Sequence, residues 1–469
     1  MSLEQEINKD AFRDTIATIS DEGKRNFIRP KKPGGFFTKY RTQLSWVLLI
    51  LLFSGPWIKI GDEPLLMINV LERKFVIFGQ IFWPQDFYLF VVGMLTMVVF
   101  VVVFTVIYGR IFCGWVCPQT IFMEMVFRKI EYWLEGDWQK QKKLDKMPWN
   151  AEKIKKRTTK HVIFLFISVL ISHTFLAYII GTDDLIELIS AGPSAGFSGF
   201  IALAIFTFLF YGVFSWFREQ VCLVVCPYGR LQGVLIDSKT IIVAYDFVRG
   251  ENRGKFKRRE DRKEEQKGDC IDCHACVDVC PTGIDIRNGT QLECINCTAC
   301  IDACDAIMDK VGFEKGLIRY ASEEQIKEKK PFKFTIRMKA YTIVLGVLTS
   351  LLLVLLSLRT DVETKILSPR GALYNMMDDG RVSNIYTYKV LNKTTHAIDV
   401  SFEVEDNLAE LKMIGAEPHA ETGEYAEGAI MLILDRDKLD GIETDLNILV
   451  RDKDRILQTI EIKFMGPMN

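Results

Sequence analysis

Five long apolar runs constrain this chain more than any other feature. They cover residues 44–60, 87–108, 161–180, 197–217 and 340–358. Each is close to the ~20 residues that an α-helix needs to cross a hydrocarbon core about 30 Å thick. Buried helices of a globular core are the alternative, and five such runs in one chain argue against it. The predicted framework is an α-helical bundle of five transmembrane helices. The run at 44–60 is short and carries Pro56 near its end.

Lysine and arginine in the flanks predict the orientation. The tail before the first run holds nine, the 61–86 loop two, the 109–160 loop twelve, the 181–196 loop none and the 218–339 segment twenty-two. This regular alternation predicts a cytoplasmic N-terminus, 109–160 loop and 218–339 segment. The 61–86 loop, the 181–196 loop and the C-terminal region fall on the periplasmic side of an inner membrane. No early apolar run precedes residue 44, so no cleavable signal peptide is expected. Over the whole chain 59 basic residues nearly cancel 60 acidic ones, and no nucleic-acid partner is expected. The loop at 61–86 has apolar stretches at 65–70 and 75–78 around Glu72, Arg73 and Lys74, which suits a small β-hairpin lying on the membrane or a re-entrant segment.

Eight cysteines fall in two runs, Cys270, Cys273, Cys276, Cys280 and Cys294, Cys297, Cys300, Cys304. Each reads C-x2-C-x2-C-x3-C, the spacing of a bacterial-type 2[4Fe–4S] ferredoxin, in which the fourth cysteine of each run serves the other cluster. One cluster is therefore assigned to Cys270, Cys273, Cys276 and Cys304, the other to Cys294, Cys297, Cys300 and Cys280. Zinc sites use pairs rather than quartets, and disulfides need an oxidising compartment that the charge pattern denies. Asp305 stands where the first run has Pro281. The mixed-charge stretch 249–267 reads as a solvated linker that also suits anionic headgroups. His274, between ligands, reads as a residue that tunes a cluster.

The remaining four cysteines form an internal repeat. Cys113-Gly-Trp-Val-Cys117-Pro118 follows the second run and Cys222-Leu-Val-Val-Cys226-Pro227 the fourth. Matching C-x3-C-P motifs at matching depth predict two helix ends that face each other, with the thiols of each pair one turn apart on one helix face. Soft thiolates of this kind select Cu(I), zinc or iron–sulfur units; paired structural cysteines are the plainer reading. Met94 and Met97 are packing residues or thioether ligands. His173, inside a span, is a functional residue or a hydrogen-bond donor between helices. His161 reads as interfacial, and Glu124 as a ligand-orienting group or part of a solvated helix face.

Beyond residue 358 the pattern changes to strands. Residues 398–404 alternate apolar and polar with period two, and 386–391, 429–434, 446–450 and 460–464 read as further strands, with a turn at 452–454. Short strands over about 110 residues suggest an all-β immunoglobulin-like sandwich. Its two histidines, His396 and His419, form no catalytic constellation, and partner docking is its expected role. The expected layout is a 1–43 tail, a 44–217 membrane region, a 218–339 ferredoxin domain of α+β type, a fifth helix at 340–358 and the sandwich at 359–469.

Two C-x3-C-P motifs, a double-cluster insert, a fifth span and a terminal β-domain that begins around Gly380–Thr394 together resemble the CcoG/FixG/RdxA family of cytochrome c oxidase accessory proteins. The membrane half is also similar to NapH and NosR electron-transfer proteins. The resemblance implies reduction of Cu(II) to Cu(I) for assembly of a cbb3-type oxidase, with oxidase assembly components and a copper-exporting P-type ATPase as partners. It makes Cys113, Cys117, Cys222 and Cys226 the copper thiols. An electron-transfer subunit without copper chemistry, or a non-enzymatic assembly or redox-sensing factor, are the competing readings. With no Gly-rich dinucleotide fingerprint, a separate cytoplasmic protein or a quinol is expected to supply electrons.

Overall fold

A computed structural model describes residues 18–19, 24–60, 63–70, 74–83, 86–192, 197–257, 260–262, 264–368, 374–394, 396–405, 408–415, 418–453 and 455–467. The 1–17 part of the expected tail, Glu72 and Arg73 of the loop, and Asp454 of the last turn lie outside these residues. The chain forms two compact units, one of residues 1–54, 94–176 and 187–349, the other of 55–93, 177–186 and 350–469.

Among the described residues four helices are long and apolar enough to cross a membrane: α2 (Phe87–Tyr108), α3 (Ala151–Ile180), α4 with its π-helical continuation (Phe197–Phe217) and α5 (Ile336–Ser357). The chain is a membrane protein. The run expected at 44–60 differs. Its helix, α1, is Phe36–Ser54, because Gly55 and Pro56 cannot continue it and the residue before proline leaves the helical region. Residues 59–60 are extended instead. Only the last eleven residues of α1 are the expected apolar run, and Trp46, Val47, Ile50 and Leu51 leave that part exposed.

In the first unit the start of α1 is fixed by Asp302. Its carboxylate accepts from the backbone N–H of Phe37 at 3.0 Å and of Thr38 at 2.7 Å, and from the Thr38 hydroxyl at 2.6 Å. An acid at a helix N-terminus satisfies otherwise orphaned donors and the helix dipole. Asp302 belongs to the helix Ala299–Val311, which also carries Cys300 and Cys304. The cysteine segment is closed by an antiparallel ribbon, Ile242–Tyr245 paired with Ile318–Ala321. Nearby, a buried ion network ties several helices together: Arg218 bonds Glu131, Lys160 reaches Glu135 at 2.8 Å, and Arg128 reaches Glu124 at 2.9 Å. Burial alone would raise the Glu131 carboxyl, but Arg218, Lys160, Arg29 and Arg128 hold it down at about 2.

The stretch 249–267 is exposed at most of its described residues, as its charge suggests, but two arginines tie it down. The buried Arg262 donates to the carbonyls of Gly268, Gly254 and Cys270, and Arg249 pairs with Asp269 and bonds the carbonyls of Glu314 and Lys315. Arg249 finds these carbonyls at long range, which composition does not reveal.

In the second unit, β1 (Leu66–Asn69), β2 (Lys74–Ile77) and β3 (Gln80–Phe82) form an antiparallel meander. The expected hairpin is present and gains a third strand. Met67, Val76 and Ile81 are buried on one face, and Leu66, Ile68 and Ile77 are exposed on the other. The C-terminal region is a two-sheet sandwich of β4 (Val362–Leu367), β5 (Asn375–Met376), β6 (Val382–Asn392), β7 (Ile398–Val404), β8 (Glu410–Ile414), β9 (His419–Ala420), β10 (Tyr425–Leu434), β11 (Glu443–Asp452) and β12 (Arg455–Met465). One sheet runs β8-β10-β6-β4 with β5 beside β6, and the other β9-β7-β11-β12. Alternation in β7 puts Ile398, Val400, Phe402 and Val404 into the shared core. The meander is pinned to the sandwich by Asp86, which is 2 % exposed. It meets Lys393 at 2.8 Å and Arg359 at 3.1 Å. Breaking a buried pair strands a charge and costs about 3–5 kcal/mol. Asp86→Ala should therefore lower the stability of this unit by about that much, as read from thermal loss of the β-sheet circular dichroism of the full chain in detergent. Asp361→Ala, which removes the exposed partner of Arg455 at 3.4 Å, should cost less than about 1 kcal/mol.

Candidate iron–sulfur and thiol site

The eight cysteines of the two runs line two neighbouring cavities. One is lined by Cys280, Cys294, Cys297 and Cys300, the other by Cys270, Cys273 and Cys304, and Cys276 lines both. The fourth cysteine of each run thus crosses to the other run's cavity. Cys280 does so after the short helix Ala275–Asp278. Cys304 does so one turn beyond Cys300 on the helix Ala299–Val311.

Backbone conformation aims these thiols. Asp272 and His274 in the first run and Asn296 and Thr298 in the second all take positive φ, between 51° and 65°. Left-handed residues other than glycine are uncommon and mark over-determined loops. Two per run, at equivalent positions, turn the chain around each cavity. Asp305 does not point to a ligand role; its carboxylate accepts from the Gly316 N–H at 3.0 Å.

The chemistry of the donors fits an iron–sulfur cubane in each cavity. Burial pushes the thiols of Cys276, Cys294 and Cys304 up to about 12 and that of Cys297 to about 11. Such thiols ionise only against a strong cationic centre. Among the described residues no three His, Cys, Asp or Glu side chains stand close enough to hold a single metal ion. A cubane spreads its four ligands around a far larger core.

The C-x3-C-P motifs differ from one continuous helix face. Cys113 lies in the helix Ile111–Trp115, and Cys117 is the N-cap of the next helical stretch, with Pro118 at its first position. Cys222 lies in the π-helical Val221–Val225, and Cys226 is the N-cap of Pro227–Leu235. Proline forces its predecessor extended, so each pair straddles a helix break. The four thiols nevertheless gather from both halves. Burial pushes Cys222 up to about 12, and Cys117, Cys113 and Cys226 add to that. Burial likewise raises Cys113 to about 11, against a contact from its Sγ to Gln232 Oε1 at 3.5 Å.

This motif touches the second cysteine run. A Cβ on Gly114 would meet Ile295 O at 2.5 Å and Asn296 O at 2.8 Å, so the backbone between Cys113 and Cys117 lies directly against the backbone between Cys294 and Cys297. Trp115 Nε1 donates to Tyr320 Oη at 3.1 Å across the same contact. A further cavity is lined by Met123, Glu124, Arg218, Cys222 and Thr282, so Glu124 faces the thiols while its carboxylate also accepts from Arg128.

The other candidates do not join the site. Met94 and Met97 are exposed on α2. His173 Nδ1 lies 2.7 Å from Val169 O in its own helix, and His161 Nδ1 lies 2.8 Å from Tyr211 Oη. His274 is the exception: it lines the cavity of Cys270, Cys273 and Cys304 and contacts Arg287 at 3.0 Å. Sequence reasoning missed Arg41, Arg110, Trp115 and Tyr320; the one signal was an arginine at the end of an apolar run, three residues before Cys113.

Comparison with known proteins decides the family. Protein RdxB of Cereibacter sphaeroides is 35 % identical over 402 residues, 82 % of this chain and 83 % of its own. The chain belongs to the FixG/RdxA family. Protein RdxA of the same organism is 37 % identical over 78 % of this chain and 80 % of its own, and nitrogen fixation protein FixG of Rhizobium meliloti 36 % identical over 64 % and 58 %. Family models describe a 4Fe–4S dicluster domain at 217–323, a 4Fe–4S binding domain at 90–141 and the Ig-like fold at the C-terminus of FixG at 352–467. A crystal structure of a FixG-related protein from Vibrio parahaemolyticus matches 24 % of this chain and all of its own, at 25 % identity and a TM-score of 0.20. This FixG/RdxA-family member is an iron–sulfur membrane oxidoreductase of electron-transfer type.

The Gly114 contact is open to test. Gly114→Ala should displace the 294–297 loop and lower iron and acid-labile sulfide per chain, whereas Gly93→Ala, with nothing within 4 Å of the added carbon, should leave both unchanged.

Proposed function

We propose that this chain reduces Cu(II) to Cu(I) at the membrane for assembly of a cbb3-type oxidase. Cys113, Cys117, Cys222 and Cys226 are the thiols that meet the ion, no more than two of them on it at once in the arrangement described. One cluster is held by Cys270, Cys273, Cys276 and Cys304, the other by Cys280, Cys294, Cys297 and Cys300. The observation that carries this reading is the gathering of four motif thiols from two halves of the chain, one motif lying against the 294–297 loop. A bare relay needs no such thiol set. Bound clusters supply single electrons. The thiol set favours the softer Cu(I), so one electron passed to Cu(II) leaves Cu(I) with no proton or bond to balance. Glu124 adds a negative charge beside Cys222.

The flanking charge supports an inner-membrane topology with α1 as a fifth span. The N-terminus and the 218–339 cluster domain are then cytoplasmic, and the sandwich from 359 onward is periplasmic. Copper is reduced on the cytoplasmic side, before or during its export by a P-type ATPase, with electrons from a cytoplasmic protein or a quinol.

A second reading is favoured by one finding: the 4Fe–4S binding model over 90–141 contains Cys113 and Cys117. In that reading the motif thiols extend the electron path and no copper chemistry occurs. Metal analysis and a Cu(II)-reduction assay on the purified full chain separate the two. Ser at Cys113, Cys117, Cys222 or Cys226 should bring Cu(I) formation down to background while both cluster signals persist. Full Cu(II) reduction in these variants, or iron in place of bound copper at the motif, would favour the second reading.

A further inference from the structure

Among the described residues Arg41 and Arg110 are buried cations without an acid. They are 4 % and 5 % exposed. Neighbouring buried arginines have carboxylates: Arg128 pairs with Glu124, and Arg218 with Glu131. Arg41 and Arg110 have carbonyls instead. Arg41 Nε donates to Gly114 O at 2.7 Å. Arg110 Nη2 donates to Gly229 O at 2.6 Å, and its Nη1 to Leu292 O. Among the described residues Arg41 Nη2 and Arg110 Nε have no hydrogen-bond partner. A buried charge without a counter-charge is strongly destabilising, so a site built with two of them implies an anion close by.

Both cations hold the loop of the second cysteine run. Arg110 donates to the carbonyl of Leu292, two residues before Cys294, and Arg41 bonds the carbonyl of Gly114, which lies against the 295–296 carbonyls between Cys294 and Cys297. A cubane with four thiolate ligands is a net anion, and reduction makes it more negative. Burial alone would disfavour that extra electron; nearby positive charge favours it. We propose that Arg41 and Arg110 are the counter-ions of the cluster held by Cys280, Cys294, Cys297 and Cys300, and that they hold its reduction potential above that of the other cluster.

At the other cavity the arginines have acids. Arg287 contacts Asp272 and Asp285 at 2.6 Å each, and the buried Arg262, which donates to the Cys270 carbonyl, has Glu260 at 3.7 Å. Cys273 is exposed there, whereas the loop of Cys294 and Cys297 lies against the motif backbone. The cluster that touches the C-x3-C-P motif is then the more oxidising of the two. The inference rests on the two-cluster reading of the cavities and not on which metal is reduced.

The test is a redox titration of the purified full chain followed by electron paramagnetic resonance, with iron and sulfide analysis. Arg41→Gln and Arg110→Gln should each move one of the two cluster potentials downward and leave the other in place. Arg41→Lys and Arg110→Lys, which keep the charge, should restore most of the shift. If a glutamine variant loses iron, loss of one cluster signal alone, with recovery in the lysine variant, supports the same assignment. Unshifted potentials with both clusters present, or equal shifts or losses at both, overturn it. A wild-type chain without two clusters overturns the cluster reading itself.

Discussion

Backbone-to-backbone contact between Gly114 and the 295–296 carbonyls is what makes the first unit one electron-transfer device rather than a ferredoxin tied to a membrane anchor. Electron tunnelling weakens steeply with distance, so a cluster that is only tethered nearby would exchange electrons poorly with the motif. The absence of a side chain at residue 114 lets the two loops touch. Arg41, which bonds the Gly114 carbonyl, and the Trp115–Tyr320 hydrogen bond hold the contact from either side. Asp302 extends the same principle: it fixes the start of α1 from the helix that carries Cys300 and Cys304. Helix α1 and the cluster helix are therefore positioned by one another.

The two cavities share a chain pattern but not an environment. In the first, Cys273 is exposed and the local arginine is neutralised by two aspartates. In the second, Cys280, Cys294, Cys297 and Cys300 are all half-buried, and the local arginines Arg41 and Arg110 bond carbonyls. The same four-thiolate ligand set in two charge environments takes two potentials. An exposed edge suits exchange with a soluble donor, and a positively flanked site suits exchange with the motif.

Local rules made part of this legible in the sequence. The C-x2-C spacing announces the quartets because a cubane needs thiolates at that interval, and period-two alternation in β7 announces a strand because only a half-buried sheet asks for it. The limits of α1 were blurred because hydropathy ran on past Gly55 and Pro56, where the backbone stops. The stretch 249–267 reads as a plain tether because charge composition does not show that Arg249 reaches the distant carbonyls of Glu314 and Lys315. Arg41 and Arg110 escaped for the same reason. An arginine at the end of a span reads as a snorkelling anchor, and only the tertiary contact turns it inward.

The C-x3-C-P repeat is symmetric in backbone and asymmetric in what surrounds it. Cys117 and Cys226 have nearly the same conformation, φ −58°, ψ 123° and φ −67°, ψ 111°, each opening a helix with proline at its first position. Proline imposes that similarity on both halves. The residue after the first cysteine breaks it. In the first motif it is Gly114, and in the second Leu223. A leucine in the place of Gly114 would collide with the 295–296 carbonyls, so the first motif meets the cluster loop backbone to backbone. The second motif keeps its side chain there and meets the same region across a cavity, in which Cys222 faces Thr282 and Ile295 along with Met123, Glu124 and Arg218. The repeat thus approaches the cluster loops in two ways, one by direct backbone contact and one across a space lined by polar and thioether groups.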